Sequence, residues 1–323
     1  YDSAQSLVKT AIERIEHISK QEGLSGVATG FTKLDAITSG WQPSDLIILA
    51  ARPGMGKTAF VLSMARNIAV DSKKGVAVFS LEMSSVQLIT RLISSETGLS
   101  SEKLRKGKLE DYEWQQLHAK IKNLEKAPLF IDDTPALSVF DLRAKCRRLV
   151  AQHNVEVIII DYLQLMTAGG DSKGNREQEI STISRSLKSI AKELSVPVIA
   201  LSQLSRAVET RGGSKRPLLS DLRESGAIEQ DADIVSFIFR PEYYGLTEWD
   251  DDDATPCEGQ AEFIIAKHRN GGLDNIRMKF IGHLAQFSNL ETDDGYATEF
   301  TSKMNANDAF GDPSEDEYDD SPF

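Results

Sequence analysis

Eight consecutive residues, Arg52, Pro53, Gly54, Met55, Gly56, Lys57, Thr58 and Ala59, have the types needed to cradle a phosphate chain. A Gly-rich turn that opens a helix leaves successive backbone N–H groups pointing inward, and the helix dipole favours an anion there. In such loops the lysine, here Lys57, reaches the β and γ phosphates, and the hydroxyl, here Thr58, is a Mg²⁺ ligand. The usual spacing, G-x-x-x-x-G-K-[ST], calls for glycine at position 51. This chain has Ala51, and Pro53 and Gly54 shape the turn in its place. Three further polar residues close apolar runs: Glu82, Asp161 and Gln203. Asp161 suits a Mg²⁺ carboxylate, direct or through water. Glu82 is a candidate general base for an attacking water. Gln203 is placed to sense a γ-phosphate through its amide and to report its loss to the basic loop that follows. A carboxylate after a strand is often only a helix cap, so the weight lies in the joint pattern.

The elements that must position these groups are readable from periodicity. A β-branched run at 46–51 enters the phosphate turn and an amphipathic helical pattern leaves it. Further buried strands are expected at 75–81, 128–131, 155–160, 196–201 and 234–239. Between them lie a helix from Ser84 with capping-box spacing to Gln87, a polar helical region at 100–126, a helix capped by Ser138 to about 152, and a helix at 177–194. The β-α-β order predicts an α/β fold with a mainly parallel central sheet flanked by helices on both faces. Ligand loops then lie at the strand C-termini, so Lys57, Glu82, Asp161 and Gln203 converge on one edge. Two more strands, 260–267 and 275–280, are joined by the turn "HRNGGLD". Upstream, a short helix at 33–37 and a turn around 40–45 deliver the chain into the first strand. Residues 2–20 form an amphipathic helix with Ala4, Leu7, Val8, Ala11, Ile12, Ile15 and Ile18 on one face. That stripe is buried either on its own domain or on a neighbouring subunit.

Composition narrows the class. The 323 residues are 40% hydrophobic and 27% charged, as in a globular protein, and no run of about 18 apolar residues indicates a membrane span. Cys146 and Cys257 are isolated, which fits a reducing cytoplasm. The net charge of −12 at first opposes nucleic-acid binding, but 291–323 alone carries −10, leaving the rest near neutral at −2. Local patches therefore decide the partner. Between Arg206 and Arg223 five basic residues (Arg206, Arg211, Lys215, Arg216, Arg223) face Glu209 and Asp221, a net of +3. Phosphate contacts of that kind give sequence-independent, salt-dependent binding. The Gly-rich loop at 167–175 is a weaker second candidate. Lys267 and Arg269, in "KHRNG", read on their own as a charged hairpin turn.

The strings "ARPGMGKT", "FSLEM", "IIIDYLQLM", "LSQLSRAVE", "DLRESGAIEQDAD" and "AKHRNG", in that order across most of residues 29–281, resemble the motor domain of bacterial DnaB-type replicative helicases. The resemblance implies a RecA-like P-loop NTPase fold and a homohexameric ring. Such a ring uses ATP and Mg²⁺ to translocate 5′ to 3′ on single-stranded DNA and to unwind a fork. By resemblance Lys57 and Thr58 bind phosphate and Mg²⁺, Glu82 is the catalytic base, Asp161 the second acidic motif and Gln203 the γ-phosphate sensor. Lys267 and Arg269 resemble the basic pair that reaches into a neighbour's ATP site. By the same resemblance Arg223, Glu224 and Gly226 occupy the loop that touches one strand's backbone, and Arg206 and Arg216 lie in the basic stretch beside it. Gly54 stands where the family often has Ser, which is not expected to affect phosphate binding.

The domain expectation is a linker helix at 1–22 docking on the neighbouring subunit, a RecA-like ATPase domain at 23–290, and an acidic disordered tail at 291–323. The family's helical N-terminal domain is absent from these residues, which puts primase binding in doubt for this stretch alone. Implied partners are DNA, other copies of the chain, and a helicase loader, primase and clamp-loader components at a bacterial or phage replication fork in the cytoplasm. The tail's final Pro322 and Phe323 resemble the docking tip of single-strand-binding proteins, although an acidic solvated tail is the commoner case. Two rival classes are a RecA-like recombination or repair ATPase that forms filaments and a signalling ATPase of the same superfamily.

Overall fold

The computed structural model describes residues 3–20, 23–168, 176–251 and 253–290, with the side chains at 14, 17, 20 and 223–225 outside that description. The acidic tail at 291–323 and most of the 167–175 loop therefore lie beyond it.

Uninterrupted apolar runs form the sheet interior. β1 (Leu46–Ala51), β2 (Gly75–Ser80), β4 (Val155–Asp161), β5 (Val198–Gln203) and β6 (Ile234–Phe239) are buried along almost their whole length. With β3 (Leu129–Asp132) they make the parallel part of one nine-stranded sheet, ordered β3-β2-β4-β5-β1-β6-β7-β8-β9. β7 (Gln260–His268), β8 (Asp274–Ile281) and β9 (Gln286–Asn289) continue it in antiparallel fashion. The period of two in a strand divides β1 between two cores: Leu46, Ile48 and Ala50 face one layer, Ile47, Leu49 and Ala51 the other.

Helices cover both faces, as continuous burial of the strands requires. α8 (Val139–His153) and α9 (Arg176–Leu194) lie on the first, through Leu142, Cys146, Ile183 and Leu187. α2 (Thr32–Thr38), α3 (Lys57–Arg66) and α4 (Ser85–Thr97) lie on the second, through Leu34, Phe60, Met64, Leu88 and Leu92. Ser84 caps α4 with the expected capping box to Gln87, and Ser138 caps α8 by accepting from the Asp141 N–H. The polar region resolves into α5 (Ser101–Lys106), α6 (Asp111–Lys120) and α7 (Lys122–Glu125). A short helix, α10 (Ala207–Thr210), interrupts the stretch read as a basic loop, and α11 (Gly226–Asp231) follows it.

Phe60 binds the two halves of the sheet together. Its ring stacks on Phe31 at 5.0 Å and on Phe263 at 4.9 Å, and meets Phe287 edge-on at 5.5 Å. β9 was not anticipated: four residues with one large apolar side chain carry too little periodicity. At the other end of the chain, α1 (Ala4–Lys20) has Leu7, Val8, Ile12, Ile15 and Ile18 exposed, so its stripe is not buried on its own domain.

Candidate active site

β1 ends in the phosphate loop because Gly54 (φ 79°) and Gly56 (φ 99°) take left-handed conformations that side chains disfavour. Gly56 then opens α3 without any side-chain cap. The first N–H groups of α3 have no intrahelical acceptor, and they face a cleft of about 460 Å³. Pro53, Gly54, Gly56, Lys57, Thr58 and Ala59 line it, together with Glu82, Asp161 and Gln203 from the ends of three neighbouring strands. The expected convergence is therefore present.

The charges in the cleft hold one another. Thr58 Oγ1 donates to Asp161 Oδ2 at 2.8 Å, the pair of oxygens suited to a hard cation. Burial, with the nearby Glu82 charge, pushes the Asp161 carboxyl above its ordinary value against the pull of Thr58 and Lys57. Lys57 Nζ donates to Ala51 O at 3.1 Å. Burial lowers its pKa, and Asp161 and Glu82 oppose that shift. An incoming triphosphate supplies the negative charge this buried ammonium lacks. Gln203 is steadied from behind: its N–H donates to Gln164 Oε1 at 3.3 Å, and Gln164 Nε2 donates to Ser202 Oγ at 2.8 Å. The phosphate donors, the hydroxyl–carboxylate pair and the exposed Glu82 thus fit a nucleotide with Mg²⁺.

Two loop residues play a different part from the one expected. Met55 is buried in the core at 2% exposure. Arg52 turns away from the cleft: its Nε donates to Glu209 Oε1 at 2.9 Å and its Nη1 to Leu204 O at 2.7 Å. Neither residue lines the cleft. Seven residues that line the cleft were missed, Ser101, Gly282 and Ala285 among them. Arg91 and Met83 come from α4 and the turn before it, and Tyr162 follows Asp161. The signal for Arg91 was its place beside the apolar phase of a helix that begins three residues after Glu82. Another, Phe280, carries the Arg240 guanidinium 3.9 Å above its ring, while Arg240 Nη1 donates to Gly54 O at 3.2 Å. This cation–aromatic ledge sits at the loop end of the cleft, its cation from the end of β6 and its ring from β8.

Lys267 and Arg269 lie elsewhere. β6 runs parallel to β1, and in β7 Lys267 pairs with Val235 and His268 with Ile234, at the start of β6. The pair is therefore at the sheet edge opposite the phosphate loop. There Lys267 Nζ donates to Ala232 O at 2.8 Å and to Glu229 O, and Arg269 donates to Gln230 O and pairs with Asp233 at 3.7 Å. Neither serves the cleft of its own chain.

The basic stretch is less open than its charge count suggested. Arg216 is a correction: its Nε and Nη2 meet Asp250 at 3.1 and 2.5 Å, it pairs with the buried Glu262, and it lies over Phe239 and Trp249. With Nη1 and both faces of its fork engaged, Arg216 is a structural cation and not a phosphate contact. Arg211 pairs with Asp221, and Lys215 Nζ donates to Glu209 O at 3.0 Å. Arg206 is exposed, and so is Gly226, where nothing lies within 4 Å of an added Cβ. The side chains of Arg223 and Glu224 fall outside the described residues. Among the described residues no cluster of three His, Cys, Asp or Glu forms a separate metal site, and no helix is long and apolar enough to cross a membrane.

Comparison with known proteins agrees with this geometry. The family model for the DnaB-like helicase C-terminal domain matches residues 26–289. The chain is 48% identical over 292 residues to the replicative DNA helicase DnaB of Geobacillus stearothermophilus, covering 90% of this chain and 63% of that protein's length. A solved structure described as the ATPase domain of G40P superposes with a TM-score of 0.80 at 38% identity, over 90% of this chain and all of that one. A DnaB-like replicative helicase, solved in a study of its interactions with primase, superposes with a TM-score of 0.77 at 38% identity, over 90% of this chain and 68% of that one.

Proposed function

The chain belongs to the family of DnaB-like helicase C-terminal domains, and on that footing we propose that it is the motor of a replicative DNA helicase. It hydrolyses ATP with Mg²⁺ at the interfaces of a homohexameric ring, and turnover drives 5′ to 3′ translocation along single-stranded DNA and unwinding of the fork.

The observation that carries the reading is the division of the site between two sheet edges. Lys57, Thr58, Glu82, Asp161 and Gln203 surround one cleft, while Lys267 and Arg269 sit at the far edge. The near set binds the triphosphate through the phosphate-loop N–H groups and Lys57. Thr58 and Asp161 hold Mg²⁺, which when bound adds positive charge against the phosphates. Glu82 orients the attacking water and takes its proton. Gln203 reads the γ-phosphate. Arg240 over Phe280 offers the nucleotide base a stacking surface. Arg269, with Lys267, is supplied by the adjacent copy and stabilises charge spread over the transferring group. Arg206 and the 223–226 segment, with Gly226 open for close backbone approach, contact DNA phosphates without reading bases.

The exposed stripe of α1 supports docking of that helix on the adjacent copy, which helps to close the ring. A helicase loader, primase and clamp-loader components are the partners this role implies at a bacterial or phage replication fork.

The experiment is Glu82→Gln assayed on forked DNA with a 5′ tail. Nucleotide binding is retained, DNA-stimulated turnover falls by about 10² to 10⁴, and unwinding stops. DNA-stimulated turnover at the wild-type rate in Glu82→Gln would refute the assignment of the base.

A further inference from the structure

Two ion pairs in series tie the phosphate loop to the segment that precedes the DNA-facing turn. Arg52, whose side chain is 9% exposed, holds Glu209 at 2.9 Å and, through its other arm, Leu204 O at 2.7 Å. Leu204 is the residue after Gln203. One guanidinium therefore grips the phosphate loop, the residue beside the γ-phosphate sensor, and α10. Just past the C-terminus of α10, Arg211 Nη1 donates to both carboxylate oxygens of Asp221, at 3.0 and 3.1 Å. Asp221, 7% exposed in its side chain, also accepts from the Leu218 N–H at 2.7 Å, and its carbonyl accepts from the Ser205 N–H at 3.3 Å. Arg223 follows two residues later. None of these four side chains faces the nucleotide cleft.

Such a linkage transmits displacement because letting go is costly. Parting Glu209 from Arg52 leaves the buried guanidinium without its partner, and parting Arg211 from Asp221 leaves the buried carboxylate without its own. α10 is a single turn of four residues, so Glu209 and Arg211, two residues apart at its C-terminal end, move together. Coupling also needs an element with a second arrangement that both sites can bias. Tyr244 supplies the partner for one: its hydroxyl is buried and makes no hydrogen bond among the described residues. Burial, and after it the Glu209 charge, raise its pKa. The Tyr244 hydroxyl is thus an unpartnered buried donor that feels the charges of both Glu209 and Arg52, and a rearrangement of that pair has a group to answer it.

We propose that Glu209 and Asp221 are positioning residues that carry DNA occupancy of the 223–226 segment, through α10 and Arg52, to the phosphate loop and Gln203 of the same subunit. This rests on the ATPase and DNA reading above. The coupling runs within one chain and is separate from the arginine supplied by a neighbour.

The test uses the assembled full chain with Glu209→Gln, Asp221→Asn, the double variant, and Arg211→Lys, which keeps the charge. ATP turnover is measured without DNA and with saturating oligo-dT, alongside the Kd for ADP and for oligo-dT. In both single variants basal turnover and the two Kd values stay within about twofold of wild type. The stimulation by DNA falls about fivefold or more, the lower bound of typical coupling. The double variant loses no more than either single one, because links in series break once. Arg211→Lys retains stimulation, which separates charge linkage from general loss of packing. Wild-type stimulation in both single variants, or losses that multiply in the double, overturns the proposal. A wild-type chain that DNA fails to stimulate overturns instead the functional reading on which it stands.

Discussion

Gly56→Ala tests how the antiparallel strands fix the phosphate loop. Gly56 has φ 99°, and a Cβ built there lies 3.0 Å from Cε2 and 3.2 Å from Cζ of Phe287, with Phe280 at 3.6 Å. The Phe287 ring, 3% exposed, cannot swing clear: Phe60 meets it edge-on at 5.5 Å and Phe280 lies at 4.9 Å on the other side. The left-handed backbone costs a residue with a Cβ about 1–2 kcal/mol. Forcing a methyl against a packed ring adds about 1–3 kcal/mol. The sum, about 2–5 kcal/mol, corresponds to a fall in Tm of about 5–12 °C for a domain of this size. Relief through loop movement displaces the N–H donors of the first turn of α3, so ADP affinity falls about tenfold or more as well. The assay is thermal melting with and without ADP, beside direct ADP titration. A second variant, Gly56→Ala with Phe287→Leu, recovers part of the steric loss while the backbone part persists. Gly54→Ala is the control. Its neighbour, Tyr243, lies 3.0 Å from the added Cβ but is 48% exposed and yields, leaving only the backbone cost. A Gly56→Ala chain that melts within 1 °C of wild type and binds ADP normally would refute the wedge argument.

Three further outcomes are expected. Arg216→Ala lowers Tm, because buried Glu262 loses its partner at a cost of about 3 kcal/mol, yet leaves the salt dependence of oligo-dT binding unchanged; Arg206→Ala keeps Tm and reduces that salt slope by about 1. Mixing Glu82→Gln subunits with Arg269→Ala subunits restores ATP turnover that neither has alone, since an interface formed by an intact cleft and an intact arginine is complete; no recovery in mixed rings would place Arg269 in its own chain's chemistry. Burial, and then the neighbouring Asp233 charge, push the Asp45 carboxyl up to about 6. The folded chain thus holds a proton that the unfolded chain has released between about pH 4 and 6, so this group's contribution lowers stability as pH rises through that window. Asp45→Asn removes the slope and raises Tm at pH 7.5, read from melts across pH.

The parallel strands were legible because burial on both faces leaves a continuous apolar signature, as in Val155–Asp161. Lys57, Thr58, Glu82, Asp161 and Gln203 followed from it, since parallel strands end on one edge. What was not legible depends on partners distant in sequence. Arg216 was counted as a loop cation, but Asp250 and Glu262, which neutralise it, lie 34 and 46 residues away. Arg52 looked like part of a phosphate cradle until Glu209, 157 residues on, was seen to take its charge. Phe280 entered the site only because β8 and β9 fold back against α3, and β9 is too short to announce itself.

The placement of Lys57 and Arg269 at opposite ends of one sheet has a consequence for counting. Six residues of β6 separate the two edges, on the order of 20 Å. In the ring proposed above, two copies that share a site meet head to tail, through a heterologous contact in which the surface offered differs from the surface received. Such a contact never closes on itself as a twofold pair. A row of copies always ends in one cleft without an arginine and one arginine without a cleft, so it holds one fewer complete site than it has members. Closing the circle adds the last. On that proposal, a ring that parted to admit a DNA strand would give up one site at the gap for as long as it stayed open, and the break would be felt first by the two copies that flank it.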